Sequence, residues 1–130
     1  MGRNGKGVSP FWDYIGMEEQ WAKNGEAELK LVITGDLLNR GGSVQGGVLA
    51  SLIDGVTGAA IASTIRENQT VVTTDLKISY LLPAKGDYLI AKGSTIHKGS
   101  TLAVSQAKIF NSKGDTIAAG MATFMILPSK

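Results

Sequence analysis

A chain of 130 residues, 43% hydrophobic and 18% charged, with 17 glycines and no cysteine, is bounded to one compact domain able to bury a core. A formal net charge of +2, from 13 Lys and Arg against 11 Asp and Glu, argues against a nucleic-acid footprint and against attachment to an anionic membrane surface. Without cysteine there is no disulfide framework and no thiolate nucleophile, a composition compatible with a reducing compartment, so the cytoplasm is the expected location.

Residues 1–8 have a basic flavour with no apolar run behind them, so they read as a disordered terminus rather than a secretory signal or anchor. Pro10 then opens Phe11-Trp12-Asp13-Tyr14-Ile15-Gly16, a short turn of helix with proline at its start and glycine at its stop. Its three aromatics are expected to be covered. From Met17 to Ile33 two runs flank Asn24-Gly25, and Ala27, Leu29, Leu31 and Ile33 alternate with Glu26, Glu28, Lys30 and Val32, which predicts a half-exposed hairpin. Gly35 to Ser43 reads as a polar loop.

The period switches from Gln45 to Ile65, where Val48, Leu49, Leu52, Ile53, Val56, Ala59 and Ala60 fall at helical spacing; this predicts one helix of about twenty residues. Asp54, Gly55 and Gly58 interrupt its apolar stretch, so it fails as a membrane span. Thr70 to Leu82, Tyr88 to His97, Thr101 to Phe110 and Thr116 to Leu127 are β-branched and apolar runs separated by turn residues, and they predict a meander of four strands. The fold class expected is α+β, with an antiparallel sheet of about six strands and one helix on its concave face.

One face of the helix departs from a plain core pattern. Gly47, Ala50, Ser51, Asp54, Thr57, Gly58 and Ile61 share a stripe at i, i+3, i+4 spacing, small and polar, with a single carboxylate. Asp54 is either a partly exposed or locally satisfied helix residue, or a catalytic carboxylate whose apolar surroundings make it a better proton acceptor than a solvated one. Spacing alone leaves both open. Upstream, Asn39-Arg40-Gly41-Gly42-Ser43-Val44-Gln45-Gly46-Gly47 leads into the helix N-terminus, where unpaired N–H groups and a positive dipole favour anions and a glycine admits a substrate carbonyl. The simpler alternative is a Ser43 cap followed by a tight glycine turn. His97 is the only histidine, and Trp12 and Trp21 read as packing residues; no cluster of His, Cys and carboxylates suggests a metal.

The run from Asn39 to Asp54, with Val72-Thr-Thr-Asp-Leu-Lys-Ile-Ser-Tyr-Leu-Leu-Pro-Ala84 and Ile117-Ala-Ala-Gly-Met-Ala-Thr-Phe, resembles the hotdog-fold acyl-CoA thioesterases, nearest their phenylacetic acid degradation (PaaI) group. The resemblance implies a hotdog domain over the whole chain that hydrolyses aromatic or medium-chain acyl-CoA, with no cofactor because coenzyme A is part of the substrate. It assigns Asp54 as general base or nucleophile, Gly46 as the N–H that polarises the carbonyl, and Asn39 and Thr73 as catalytic partners. It further implies substrate contacts from Gln45, Gly47, Thr57, Gly58, Thr74, Lys85, His97, Lys98, Gly99 and Ser100. Its members are homodimers or homotetramers with the active site between subunits. Gln45 stands where the family has histidine, and glutamine does not titrate near neutral pH. The alternative is therefore a non-catalytic acyl-CoA-binding module of the same fold.

Overall fold

The computed structural model describes residues 9–129; the terminus read as disordered, residues 1–8, lies outside them. Helix α1 (Pro10–Ile15) begins where the Ser9 hydroxyl accepts the Trp12 N–H at 3.1 Å and ends at Gly16, whose φ of 86° turns the chain and whose N–H bonds the Trp12 carbonyl. Strands β1 (Met17–Lys23) and β2 (Glu26–Val32) then pair antiparallel through Asn24 and Gly25, both at positive φ, the conformation that matches strand twist in a two-residue turn. Ala27, Leu29 and Leu31 are buried, as the alternation predicts.

After a single 3-10 turn (Gly35–Leu37), α2 (Gly46–Ala62) crosses the concave face, followed by β3 (Gln69–Tyr80), β4 (Tyr88–Lys98), β5 (Leu102–Asn111) and β6 (Thr116–Pro128). The helix is shorter at both ends than its apolar period suggested. At its C-terminal end Ser63 and Thr64 turn their hydroxyls onto the Ala60 and Ile61 carbonyls, and Ser63 also accepts the Gly25 N–H at 2.8 Å. Side-chain bonds of this kind compete with the helical ladder, and here they tie the helix end to the hairpin turn.

The six strands follow the order β1-β2-β4-β5-β6-β3, every neighbour antiparallel. The expected meander of four is thus a meander of three: β3 lies at the far edge against β6, and β4 pairs with β2. The reason is the connection after β3. Its backbone groups are satisfied across the end of the sheet, with Leu81 and Leu82 N–H on the Ile117 carbonyl, the Ala84 carbonyl taking Val44 N–H and the Asp87 carbonyl taking Ile33 N–H. That path carries the chain from β6 to β2 instead of folding it back on β3.

Leu49, Leu52, Ile53, Val56, Ala59 and Ala60 of α2 pack on Leu29, Leu31, Leu89, Ala91, Ile109 and Ile117, while Ile61 joins Phe124 and Ile126 toward the other end. Sheet and helix approach closely enough that a Cβ on Gly93 would lie 2.9 Å from the Val56 carbonyl oxygen and one on Gly120 2.9 Å from Ile53 Cγ2. The aromatics of α1 are not all covered as expected: Trp12 packs on the core, whereas Phe11 and Tyr14 face outward at 55% and 89% exposure. Six residues of helix offer one inward face, and Trp12 and Ile15 occupy it. No helix among the described residues is long and apolar enough to cross a membrane.

Candidate active site

Strand β3 has a register break between Thr73 and Asp75, which leaves Thr74 as an extra residue opposite β6. Such a bulge reverses the alternation beyond it. Before it, Val71 and Thr73 face α2; after it, Leu76, Ile78 and Tyr80 do. On the early half, the Thr73 hydroxyl donates to Asp54 Oδ1 at 2.7 Å. Asp54 is half-buried and borders a depression of about 560 Å³ lined by Trp12, Gly58, Ala62, Val71 and Phe124. A charge-assisted bond of this length fixes the carboxylate rotamer and leaves Oδ2 with its lone pairs for a water or a carbonyl carbon.

The late half of β3 serves the start of α2. The Tyr80 hydroxyl donates to the Gly46 carbonyl at 2.8 Å, and the ring stands 3.3 Å from where a Gly46 Cβ would be. Gln45 occupies the cap position with no side-chain cap bond, while Val48 N–H and Leu49 N–H fold back on the Gln45 carbonyl. The N–H groups of Gly46 and Gly47 therefore have no acceptor among the described residues. Ser43 is not the helix cap: it sits in the loop, where Asn39 Oδ1 accepts Gly41 N–H at 2.9 Å and Ser43 N–H at 3.1 Å. Asn39, Gly46, Leu49, Tyr80 and Leu82 line a second depression of about 430 Å³.

These two groups do not meet within one chain. Gly46 and Asp54 are eight residues apart on α2, about 12 Å along the axis, far beyond hydrogen-bond reach of a shared carbonyl. Of the other candidates, Gly58 lies against the Phe124 ring at 3.3 Å for a built Cβ, and Gln45, Gly47 and Lys85 are exposed near the helix start. His97 and Lys98 end β4, exposed at the opposite end of the sheet, and exposed Ser100 follows in the β4–β5 turn closed by Gly99 N–H on the Leu102 carbonyl. Two threonines point elsewhere. Thr57 is fully buried with its hydroxyl on the Ile53 and Asp54 carbonyls, and Thr74, at the bulge, donates to the Thr123 carbonyl. The small stripe thus narrows to Gly47, Ala50, Ser51, Asp54 and Gly58, since Thr57 and Ile61 turn under the sheet. Sequence reasoning missed the part played by Tyr80 and the wall made by Trp12.

The thioesterase superfamily profile matches residues 41–118, more than half of the chain. The protein belongs to the thioesterase superfamily. Its hotdog fold, one long helix against a six-stranded antiparallel sheet, superposes on a conserved protein of Pseudomonas aeruginosa with a TM-score of 0.87 at 28% identity, over 92% of this chain and 94% of that one. A Bacillus halodurans protein crystallised with CoA superposes at 0.76 with 33% identity, over 77% of this chain and 66% of that one. A medium/long-chain acyl-CoA thioesterase of Escherichia coli is 29% identical over 96 residues, 64% of this chain and 62% of that protein. This thioesterase-superfamily chain spans between 62% and 76% of the length of such sequence relatives.

Proposed function

We propose that the protein is an acyl-CoA thioester hydrolase of the phenylacetic acid degradation type, acting in the cytoplasm on aromatic or medium-chain acyl-CoA and using no cofactor beyond the CoA carried by its substrate. The Asp54–Thr73 pair carries this reading: a carboxylate held at 2.7 Å by a hydroxyl, beside a depression lined by both apolar and polar side chains, on a helix whose first N–H groups are free. In the reaction, Gly46 N–H polarises the thioester carbonyl. Asp54 takes a proton from water as the water oxygen adds to the carbonyl carbon. Collapse of the tetrahedral intermediate breaks the C–S bond, the departing sulfur takes the proton held by Asp54, and the free acid and CoA leave with the carboxylate restored. The Asn39 amide, whose NH₂ has no partner among the described residues, holds the water.

The separation of about 12 Å between Gly46 and Asp54 supports a site shared by two chains. Strand β3 is an open edge of twelve residues, and an edge of that length invites a second copy. Antiparallel pairing about a twofold brings the Tyr80 end of one β3 beside the Gln69 end of its partner. The Gly46 N–H of each protomer then faces the Asp54 carboxylate of the other, in a homodimer that two such dimers extend to a tetramer. The acyl group lies between the two helices. The medium/long-chain relative and the CoA-bound neighbour support the substrate class.

The test is free-thiol release from a panel of aromatic and aliphatic acyl-CoAs, read with a thiol-reactive dye for wild type and Asp54→Ala. Release by wild type that the variant loses supports the hydrolase and ranks its acyl groups. Saturable binding with no release from any substrate overturns it in favour of the non-catalytic module.

A further inference from the structure

We propose that Tyr80 is a positioning residue for the start of α2 that readies the Gly47 N–H to join the Gly46 N–H in polarising the thioester carbonyl, an inference that rests on the thioesterase reading of that helix start. Its hydroxyl donates to the Gly46 carbonyl at 2.8 Å, and its ring lies 3.3 Å from the place of a Gly46 Cβ. The Gly46 carbonyl belongs to the same planar peptide unit as the Gly47 N–H. A hydrogen bond into one side of that unit withdraws electron density from the N–H on the other side, and hydrogen bonds in series strengthen one another in this way. The donor so strengthened is uncommitted, because Gly47 is exposed, a built Cβ there meets nothing within 4 Å, and its N–H has no acceptor among the described residues.

At the helix start the Gln45 N–H bonds the Leu37 carbonyl and the Ser51 hydroxyl donates to the Gly47 carbonyl, but among the side chains only Tyr80 reaches the Gly46 carbonyl. Gln45 makes no cap bond, and both helical residues that follow it are glycines, whose wide conformational freedom must be restrained if their N–H groups are to hold one direction. Tyr80 supplies that restraint from two sides, since the ring blocks one wall and the hydroxyl pins the carbonyl. The contact exists because of the Thr74 bulge. Thr73 and Tyr80 are seven residues apart, an odd number that places them on opposite faces of a regular strand; the extra residue puts both on the α2 face. One strand therefore fixes the acid of one half-site and the N–H groups of the other.

The experiment compares wild type with Tyr80→Phe, which keeps the ring and removes only the hydroxyl, in two readouts. With an acyl-CoA that wild type hydrolyses, kcat is expected to fall about tenfold at nearly constant KM, because the lost interaction acts on the developing oxyanion and not on ground-state binding. The amide proton resonance of Gly47, recorded by NMR without substrate, is expected to move upfield as its peptide loses the polarising bond. An unchanged kcat, a loss confined to KM, or an unmoved Gly47 resonance overturns the proposal. Wild type that hydrolyses nothing overturns the thioesterase reading instead, and the substrate-free Gly47 shift still upholds or overturns the hold of Tyr80 on the helix start.

Discussion

Thr73 and Asp54 are 19 residues apart in the chain, on different elements, and the Thr73 hydroxyl donates to the Asp54 carboxylate at 2.7 Å. The bond joins the edge strand to the middle of the central helix at the rim of a depression that Trp12 and Phe124 share with Arg66 and Glu67. A carboxylate placed there for structure alone has a simpler solution in solvent, a turn away on the same helix. Asp54→Asn keeps the side-chain shape and an oxygen for the Thr73 hydroxyl, so the thermal midpoint is expected to stay within a few degrees of wild type while kcat falls at least about a hundredfold. Calorimetry beside the thiol-release assay checks both halves.

Removing the other partner is expected to be milder. Thr73→Val leaves the acid in place but frees its rotamer, and kcat should fall about tenfold, with Thr73→Ser restoring most of it. A serine variant no better than valine shows that the methyl group, not the hydroxyl, is what matters at this position.

Much of the fold was legible because local chemistry announces it. Asn24-Gly25 specifies its turn through two positive φ values, and the helical spacing from Val48 to Ala60 specifies the buried face of α2. The place of β3 was not legible, since alternation states which side of a strand is apolar and not which strand lies beside it. Its partner β6 is remote in sequence, and the hydrogen bonds that decide the route belong to an irregular connection. Within the site, Asp54 stood out as a lone acid on an apolar helix. Tyr80 did not, because strict alternation assigns it the face opposite Thr73 and only the bulge at Thr74 overrides that rule.

The closeness of sheet and strand connections makes Gly120 a stability test independent of activity. A Cβ there would sit 2.5 Å from the Lys77 carbonyl oxygen and 2.9 Å from Ile53 Cγ2, and the former is backbone that moves only with β3. Gly120→Ala is expected to cost about 2 kcal/mol, seen as a fall of several degrees in the thermal midpoint. A midpoint equal to wild type means that β3 yields locally, and then Thr73 should lose its hold on Asp54 with it.

The uncapped start of α2 sets stability against activity. Gln45 has no cap bond, so Gln45→Asp supplies an acceptor for the N–H groups of the first turn and a negative charge at the positive helix end, worth about 1 kcal/mol. The same carboxylate competes for the Gly47 N–H and repels an oxyanion. The variant should melt a few degrees higher than wild type and turn over at least about tenfold more slowly, a trade common where a strained or unsatisfied site does the chemistry. Higher stability with undiminished turnover separates the helix start from the reaction.

The proposed sharing of each site between two chains predicts complementation. Gly46→Val places a side chain against the Tyr80 ring, where a built Cβ already stands at 3.3 Å, and removes the carbonyl-polarising half; Asp54→Asn removes the acid half. Each homodimer should be inactive. In a dimer that mixes the two, one of its two sites joins an intact Gly46 from one chain to an intact Asp54 from the other, while the second site carries both defects. Random exchange makes half of all dimers mixed, so an equimolar mixture unfolded and refolded together should recover about a quarter of wild-type turnover. The same mixture refolded separately and then combined without exchange should recover none. Activity that never returns, in mixtures shown by mass spectrometry to contain the heterodimer, places the reacting groups within one chain and requires α2 to bend.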